Sequence, residues 1–220
     1  MKTGLKINIK GASKNFAQYL RLLKKAYPDA KCALNFKTPL EMLVATILSA
    51  QCTDARVNMV TASLFKKYRR AEDFAGVKAA VLQKDIRSTG FFRNKAKSIQ
   101  GACKMIIKDF GGEIPRTMEE ITRLPGVARK TGNVVLGNCY GVVEGIAVDT
   151  HVRRLAQRLG LTAQENPEKI EKDLMKIVPR GEWMKISYLL IDHGRKICKA
   201  INPKCGECVL KGLCPSAFKV

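Results

Sequence analysis

The sequence LPGVARKT, at residues 124–131, combines a tight turn with the start of a helix. Pro125 and Gly126 follow one short helical pattern, and a second pattern begins at about Ala128. We therefore predict a hairpin between two helices. Gly126 permits a backbone conformation that a side chain would resist, so the N–H groups of the turn and of the next helix can converge outward. Convergent amides bind phosphate, and such a backbone contact recognises no particular base.

Two other interpretations of this stretch compete with the phosphate-binding hairpin. Lys130 and Thr131 follow a glycine, as in a nucleotide-binding P-loop, but that motif requires a glycine directly before the lysine and a strand upstream. Here Arg129 precedes Lys130, and the upstream segment has a helical pattern. The remaining alternative is a glycine turn that binds no ligand.

The charge of the whole chain favours a polyanionic partner. Lys and Arg total 40 against 19 Asp and Glu, a formal net charge of +21. Nucleic acid is therefore the first candidate. A protein of the membrane surface would usually carry a basic amphipathic helix or a juxtamembrane lysine block, whereas these cations are scattered along the chain. A basic protein without such a partner is the remaining alternative.

Composition and the uncharged stretches exclude several other classes. With 46% hydrophobic residues, 27% charged residues, 8 Pro and 17 Gly, the chain is neither collagen-like nor disordered. The longest uncharged stretch in the first quarter, residues 42–53, is far shorter than the ~20 residues of a membrane span. Residues 1–10 interleave lysines with apolar residues and lack the apolar core of a signal peptide. We expect a cytoplasmic protein, nucleoid-associated if the source is prokaryotic.

Helical signals dominate the chain, which predicts an all-α fold of about ten helices. Thr38, Pro39 and Glu41 together have the residue types of a helix N-terminus. Further helices are predicted over residues 13–27, 54–68, 78–87, 94–110, 118–124, 128–139, 150–159, 167–178 and 182–195. Residues 6–10 and 145–148 are strand-like, but two such fragments do not form a sheet.

Two residues near the hairpin are candidates for catalysis. Lys130 lies beside Arg129 and near the positive end of a helix dipole, and both effects disfavour its ammonium form. An amine made more nucleophilic in this way, and by partial desolvation, attacks an electrophilic carbon to form a Schiff base. The alternative is a solvated phosphate contact. Asp149 heads the next helix, where it is either an N-cap or a carboxylate that stabilises positive charge or manages protons.

The eight cysteines form two populations. Four are isolated among apolar or small residues and are interpreted as core residues: Cys32, Cys52, Cys103 and Cys139. The other four have the spacing C-x6-C-x2-C-x5-C: Cys198, Cys205, Cys208 and Cys214. Four such thiolates hold a [4Fe–4S] cluster or a zinc ion, and the single C-x2-C pair favours the cluster. Intervening lysines would form a basic loop that faces phosphates: Lys199, Lys204 and Lys211.

These motifs in this order resemble the endonuclease III family of DNA glycosylases, within the helix-hairpin-helix superfamily. The resemblance rests on Pro39, residues 48–51, Gly90, residues 124–131, residues 148–151, residues 193–195 and the four-cysteine tail. It implies a two-lobed helical fold with a C-terminal [4Fe–4S] cluster loop. The lobes would be a six-helix module at 33–143 and a cluster domain made of 1–32 plus 144–220, with DNA across the cleft.

The resemblance also implies an activity and a set of roles. A monomer would flip a damaged pyrimidine or a baseless sugar out of double-stranded DNA. Lys130 would attack C1′, expel the base and form the Schiff base from which β-elimination cuts the strand on the 3′ side, with Asp149 as the essential carboxylate. Gln51 and Phe91 would fill the gap in the duplex, although the family more often has an aliphatic residue at the second position. The remaining DNA contacts would be Leu124, Gly126, Ala128, Arg129, His151, Lys199 and Lys204.

Several residues distinguish this chain from related branches. Adenine-mismatch glycosylases have a glutamate where this chain has Thr46, and they lack the hairpin lysine. Thymine-mismatch glycosylases also replace that lysine, so Lys130 argues against both. Gly132 departs from the alanine that is usual after Lys-Thr. A second hypothesis is a non-catalytic iron–sulfur module that binds DNA or takes part in electron transfer. Such a module would use the hairpin and the cluster without the chemistry of Lys130 and Asp149.

Overall fold

The computed structural model describes residues 9–220, with side chains from residue 14 onward, and this part of the chain is helical. In chain order the helices are α1 (Ile9–Ala26), α2 (Pro39–Leu48), α3 (Asp54–Lys67), α4 (Ala71–Gly76), α5 (Ala79–Asp85), α6 (Phe92–Phe110), α7 (Met118–Ile121), α8 (Arg129–Tyr140), α9 (Thr150–Arg158), α10 (Pro167–Ile177) and α11 (Trp183–Lys196). Three 3₁₀ turns lie at Arg87–Thr89, Arg180–Glu182 and Cys205–Glu207. No residue from 9 to 220 belongs to a strand, so the all-α prediction is confirmed.

The predicted helices match the observed ones closely, with three differences. Helix α4 is not predicted by the sequence, because six residues are too few to show a helical period. The strand-like pattern at 145–148 forms no strand, because Ile146 and Val148 are buried singly in a loop. In the strand-like pattern at 6–10, Ile9 and Lys10 begin α1, and residues 6–8 lie outside the described part.

The chain divides into two compact units, which we call the hairpin unit and the cysteine unit. The hairpin unit is Ala33–Glu144, and the cysteine unit joins the described residues up to Cys32 to Gly145–Val220. The predicted boundaries, 33–143 and 1–32 plus 144–220, differ from these by one residue. The hairpin unit contains seven α-helices, α2 to α8, where the resemblance implied six, and the helix that the sequence analysis did not predict is the short α4.

In the hairpin unit, α2 is the central helix. Its Met42, Leu43, Ile47 and Leu48 are all buried, and it packs against α3, α6 and α8. A helix that is apolar on most of its surface requires neighbours on several sides. Its N-terminus is fixed as predicted, because the Thr38 hydroxyl accepts a hydrogen bond of 3.2 Å from the Glu41 amide. Helix α6, the longest among the described residues, packs against α4 and α5.

In the cysteine unit, α9 and α11 pack together, α1 lies against α11, and α10 lies against α9. Their shared core includes Tyr19, Leu23, Leu155 and Leu189, none of which is more than 1% exposed. The four C-terminal cysteines follow α11 directly. Within residues 9–220, no helix combines the length and apolar character that crossing a membrane requires.

Candidate nucleic-acid interface and cysteine site

The predicted hairpin is present between α7 and α8, and Gly126 is essential to it. Gly126 has φ of +80°, a conformation that side chains rarely adopt. A Cβ atom built on Gly126 would lie 2.6 Å from Cβ of Ser98 on α6. The turn also abuts α6 at Gly101, whose Cβ would come within 3.2 Å of Pro125. Two glycines therefore allow the hairpin to sit directly against α6.

The start of α8 has the polar groups of a phosphate site. Its N-cap residue, Ala128, has no side-chain oxygen to satisfy the amides of the first turn. The backbone N–H groups of Gly126 and Ala128 donate none of the hydrogen bonds that the turns and loops of the described residues make to backbone carbonyls. Both residues are exposed, as are Arg129 and Lys130 in the first turn of α8. The expected desolvation of Lys130 is therefore not provided by the protein itself.

Leu124 and Arg129, both predicted to contact DNA, also make contacts within the protein. The Leu124 side chain is 2% exposed, its amide donates to the Ile121 carbonyl, and its carbonyl accepts from the Val127 amide. Leu124 therefore holds the shape of the turn. The Arg129 guanidinium donates to the Glu144 carbonyl over 3.3 Å, which fixes its exposed side chain along the hairpin unit.

The unexpected Gly132 has a packing explanation. A Cβ atom at this position would lie 2.7 Å from Sδ of Met118 and 3.1 Å from Cγ2 of Ile121, both on α7. An alanine would force the Met118 side chain to move, because contacts this short are repulsive. The glycine lets α7 pack closely on α8 and does not alter the amides at the helix start.

Gln51 and Phe91 occupy similar positions on two separate loops. Both are exposed, Phe91 at 64%, and both have positive φ, 53° for Gln51 and 48° for Phe91. This left-handed conformation is uncommon for residues other than glycine and costs about 1–2 kcal/mol. An exposed aromatic ring at a loop tip has the properties of a wedge that enters a base stack.

In the cysteine unit, Asp149 is the N-cap of α9. Its Oδ1 accepts a hydrogen bond of 2.8 Å from the Val152 amide, and the residue is half-buried. The cap uses one carboxylate oxygen, so the cap does not rule out the second interpretation of Asp149. His151 lies in the first turn of α9, with Nδ1 3.2 Å from Nη2 of Arg154. Gly194 leaves room for this pair, since its Cβ would approach the His151 ring to 3.0 Å.

Two arginines connect α9 to the segment from Cys198 to Cys214, which we call the cysteine loop. Arg154 donates to the carbonyl of Cys198 over 2.9 Å and to that of Gly194 over 3.0 Å. Arg158 donates to Sγ of Cys198 over 3.3 Å and to the Lys199 carbonyl over 2.7 Å. The helix that begins after Asp149 therefore also anchors the cysteine loop.

The four cysteines of this loop surround one small cavity. It is lined by Cys198, Cys205, Cys208 and Cys214 together with Arg158, Lys204 and Lys211. Burial raises the pKa of Cys208 and Cys214, and the neighbouring cysteines add to this effect. Bringing four thiolates together therefore requires a cation, which an iron–sulfur cluster supplies. The donor set and the shared cavity both fit such a cluster.

Tyr27 and His193 extend the polar contacts around Cys208. His193 is 2% exposed, and burial lowers its pKa to about 4, so the ring is neutral at pH 7. Burial, with smaller contributions from Cys208 and Asp192, raises the pKa of Tyr27 to about 12. The Tyr27 hydroxyl lies 2.8 Å from Nδ1, and the Cys208 sulfur lies 3.3 Å from Nε2. A ring protonated at Nε2 satisfies both contacts and donates to the sulfur.

The isolated cysteines fit the core interpretation to different degrees. Cys103 is 1% exposed, and burial raises the pKa of its thiol to about 12, so it is protonated at neutral pH. Cys32, Cys52 and Cys139 are only half-buried. None of the four lines the cavity of the cysteine loop.

Comparison with known proteins identifies the class to which this fold belongs. A family model described as "HhH-GPD superfamily base excision DNA repair protein" matches residues 44–180. A second, described as "Iron-sulfur binding domain of endonuclease III", matches residues 198–214, from the first cysteine of the loop to the last. The chain is thus a helix-hairpin-helix base-excision repair protein with an iron–sulfur cluster, and the zinc alternative is wrong.

Relatives and solved structures narrow this class. Endonuclease III of Synechocystis sp. is 56% identical over 91% of both chains, and that of Escherichia coli K12 is 36% identical over 92% of this chain and 96% of the relative. The solved structure "Structure of a Trapped Endonuclease III-DNA Covalent Intermediate: Estranged-Adenine Complex" is 46% identical, with a TM-score of 0.88 over 92% of this chain and 95% of that one. The chain belongs to the endonuclease III family.

Membership of this family confirms the activity that the resemblance implies. The protein is a DNA-binding DNA glycosylase and AP lyase of base excision repair. A thermostable thymine-DNA glycosylase also shares the fold, with a TM-score of 0.82, but at 23% identity this similarity concerns the fold alone.

Proposed function

We propose that Lys130 is the nucleophile and Asp149 the essential carboxylate of this activity. The observation that carries the proposal is the position of Lys130 in the first turn of α8, beside the exposed residues Gly126 and Ala128, whose amides donate none of the turn and loop backbone hydrogen bonds of the described residues. A phosphate bound by these amides would place a nearby sugar next to the lysine amine.

The reaction then follows from the chemistry of an amine. The Lys130 ammonium loses its proton, and its nitrogen attacks C1′ of the sugar while the C1′–N bond to the base breaks and the base leaves with that electron pair. Ring opening gives a protonated Schiff base, which acidifies the C2′ proton. Loss of this proton and departure of the 3′ phosphate complete the β-elimination, and water releases the enzyme. Asp149 stabilises the cationic sugar or accepts protons from the lysine.

The cysteine loop supplies a second DNA contact in this proposal. Cys198, Cys205, Cys208 and Cys214 hold a [4Fe–4S] cluster, which cross-links a polar segment with little apolar burial. Lys199 is exposed, and Lys204 makes only an exposed ion pair with Glu207 at 3.3 Å, so both can reach phosphates.

We expect the loop lysines to contribute to the salt dependence of DNA binding. Lys199→Ala and Lys204→Ala should each lower the slope of log K against log salt by about 0.9, because each substitution leaves one phosphate without its cation. The measurement is a fluorescence-anisotropy titration of an abasic-site duplex at several salt concentrations.

Lys172→Ala on α10 is the matched control for these variants. It removes the same charge from an exposed position outside the cysteine loop, and its slope should equal that of the wild type. Unchanged slopes in both loop variants would mean that the loop does not contact DNA, and the cluster would then only stabilise the fold.

We also propose that the substrate is a duplex containing an oxidised or damaged pyrimidine, or an abasic site, bound by a monomer. Cleavage assays on a panel of single-lesion duplexes test this directly. We expect base release and strand cleavage on an oxidised pyrimidine, cleavage on the abasic site, and at least ~100-fold slower reaction on A:G and T:G mismatches, a difference of about 2.7 kcal/mol in the barrier. Preferential action on a mismatch would contradict the proposal.

The alternative of a non-catalytic module is not supported, because the family is enzymatic. The expected cytoplasmic and nucleoid-associated location stays a prediction. The contacts proposed for His151 and Arg129 rest on their family positions and on their places at the starts of α9 and α8.

A further inference from the structure

Lys95 is a buried cation of α6 whose side chain joins two loops. It is 4% exposed, and its Nζ donates to the carbonyl of Leu48 over 2.7 Å and to that of Thr89 over 2.8 Å. Lysine is almost never fully buried without compensation, because its charge loses hydration. That burial also lowers the pKa of Lys95. An apolar residue would avoid this cost but could not make either hydrogen bond.

Both carbonyls lie where helical segments end. Leu48 is the last residue of α2, and Thr89 is the last residue of the 3₁₀ turn Arg87–Thr89. Carbonyls at such ends have no partner within their own helix, and a cation placed there is stabilised by the helix dipole. Lys95 thus fixes the ends of two segments that are 41 residues apart in sequence, a separation counted from residue 48 to residue 89.

Each segment leads directly to one of the two non-glycine residues of the hairpin unit that are in left-handed conformation. Gln51 follows Leu48 by three residues, and Phe91 follows Thr89 by two. Strained backbone of this kind persists only where its surroundings hold it. Both strained residues therefore depend on loops attached to the same ammonium group.

Helix α6 also connects this pair to the hairpin. Phe91 is its N-cap, Lys95 is one turn along, and Ser98 and Gly101 contact the Gly126 turn. From Phe91 to Ser98 the helix rises only about 10 Å. The two loops and the proposed phosphate site are thus fixed to one rigid element.

We propose that Lys95 is a positioning residue that holds Gln51 and Phe91 at a fixed spacing, so that both enter the gap left in the duplex when a nucleotide is flipped. The inference rests on the proposed function and on the entry of Gln51 and Phe91 into the duplex, which the family resemblance implies. Lys95 acts only through the two loops and touches neither substrate nor reacting atoms.

The test is a double-mutant cycle on single-turnover cleavage of an abasic-site duplex. Lys95→Met keeps the length of the side chain and removes the ammonium. We expect it to slow cleavage by about 20-fold, because two buried carbonyls are left without a donor and the loops relax. In a Gln51→Ala/Phe91→Ala background the same change should cost less than about threefold, because its effect runs through those residues.

The controls separate positioning from folding. Gln100→Leu removes a different side-chain hydrogen bond of α6, the one of 2.7 Å from Gln100 to the Val77 carbonyl, and leaves the contacts of both loops with Lys95 intact. It should lower the unfolding temperature while cleavage stays within about twofold of the wild type. If Lys95→Met folds poorly, Lys95→Gln keeps one donor group and should show an intermediate rate with the same non-additivity.

The possible outcomes of the cycle are distinguishable. Equal fold-losses from Lys95→Met in both backgrounds would overturn the inference and leave the lyase activity intact. Full activity of the Gln51→Ala/Phe91→Ala variant would show that these side chains do not enter the duplex, which overturns the inference as well. Absence of cleavage by the wild type would instead refute the proposed function itself.

Discussion

A Lys130→Gln variant should bind an abasic-site duplex but form no borohydride-trapped adduct. Borohydride reduces a Schiff base to a stable secondary amine, and glutamine has no amine with which to form one. Strand cleavage should fall by at least ~1,000-fold, equivalent to about 4 kcal/mol of transition-state stabilisation. The measurement is the yield of protein–DNA adduct on a denaturing gel, with binding followed separately by anisotropy.

Lys104→Gln provides the matched control for charge. It changes an exposed lysine of α6 in the same unit and should leave the trapping yield at the wild-type level. A wild-type yield from the Lys130 variant would assign the covalent chemistry to another amine. Loss of trapping in both variants would point to a loss of charge rather than of a nucleophile.

An Asp149→Asn variant should fold nearly as well as the wild type and lose most of its activity. Asparagine keeps the oxygen that accepts the hydrogen bond from the Val152 amide, so the loss of stability should stay below about 1 kcal/mol. It lacks the negative charge, so turnover should fall at least ~100-fold, about 2.7 kcal/mol. Thermal unfolding measures the loss of stability, and single-turnover cleavage measures the loss of activity.

Removal of an unrelated cap separates the two roles of Asp149. Asn166 caps α10 in the same unit through the Glu168 and Lys169 amides. Asn166→Ala should cost about 1 kcal/mol of stability and leave turnover unchanged. Near-normal turnover by a folded Asp149→Asn variant would make Asp149 a cap without a catalytic role.

Local signals are sufficient for most of the fold and for the ends of its helices. The caps at Thr38 and Asp149 form as their sequence contexts predict, because each uses an amide within three residues. The positive φ of Gly126 is also predictable from the turn. Helix α4 escapes prediction because its six residues carry no measurable period, and Ile146 and Val148 resemble a strand because isolated apolar residues can also anchor a loop.

The contacts between residues far apart in the chain could not be predicted from the sequence. Nothing local to Lys95 indicates that it meets the ends of α2 and of a 3₁₀ turn, because its partners are backbone carbonyls with no residue signature. The same applies to Arg154 and Arg158, whose partners in the cysteine loop lie about 40 residues away. Gly132 departs from the usual alanine for a reason that only the position of Met118 reveals.

The most direct test of the account is to locate the covalent bond. After borohydride trapping of the wild-type protein on an abasic-site duplex, nuclease and trypsin digestion followed by mass spectrometry identifies the modified residue. Trypsin cuts after Arg129 but not after a modified lysine, so we expect the nucleotide remnant on the peptide of residues 130–153, which begins with Lys130 and ends at Arg153. A remnant on any other lysine, or on the N-terminal amine, would contradict the assignment of Lys130 as the nucleophile.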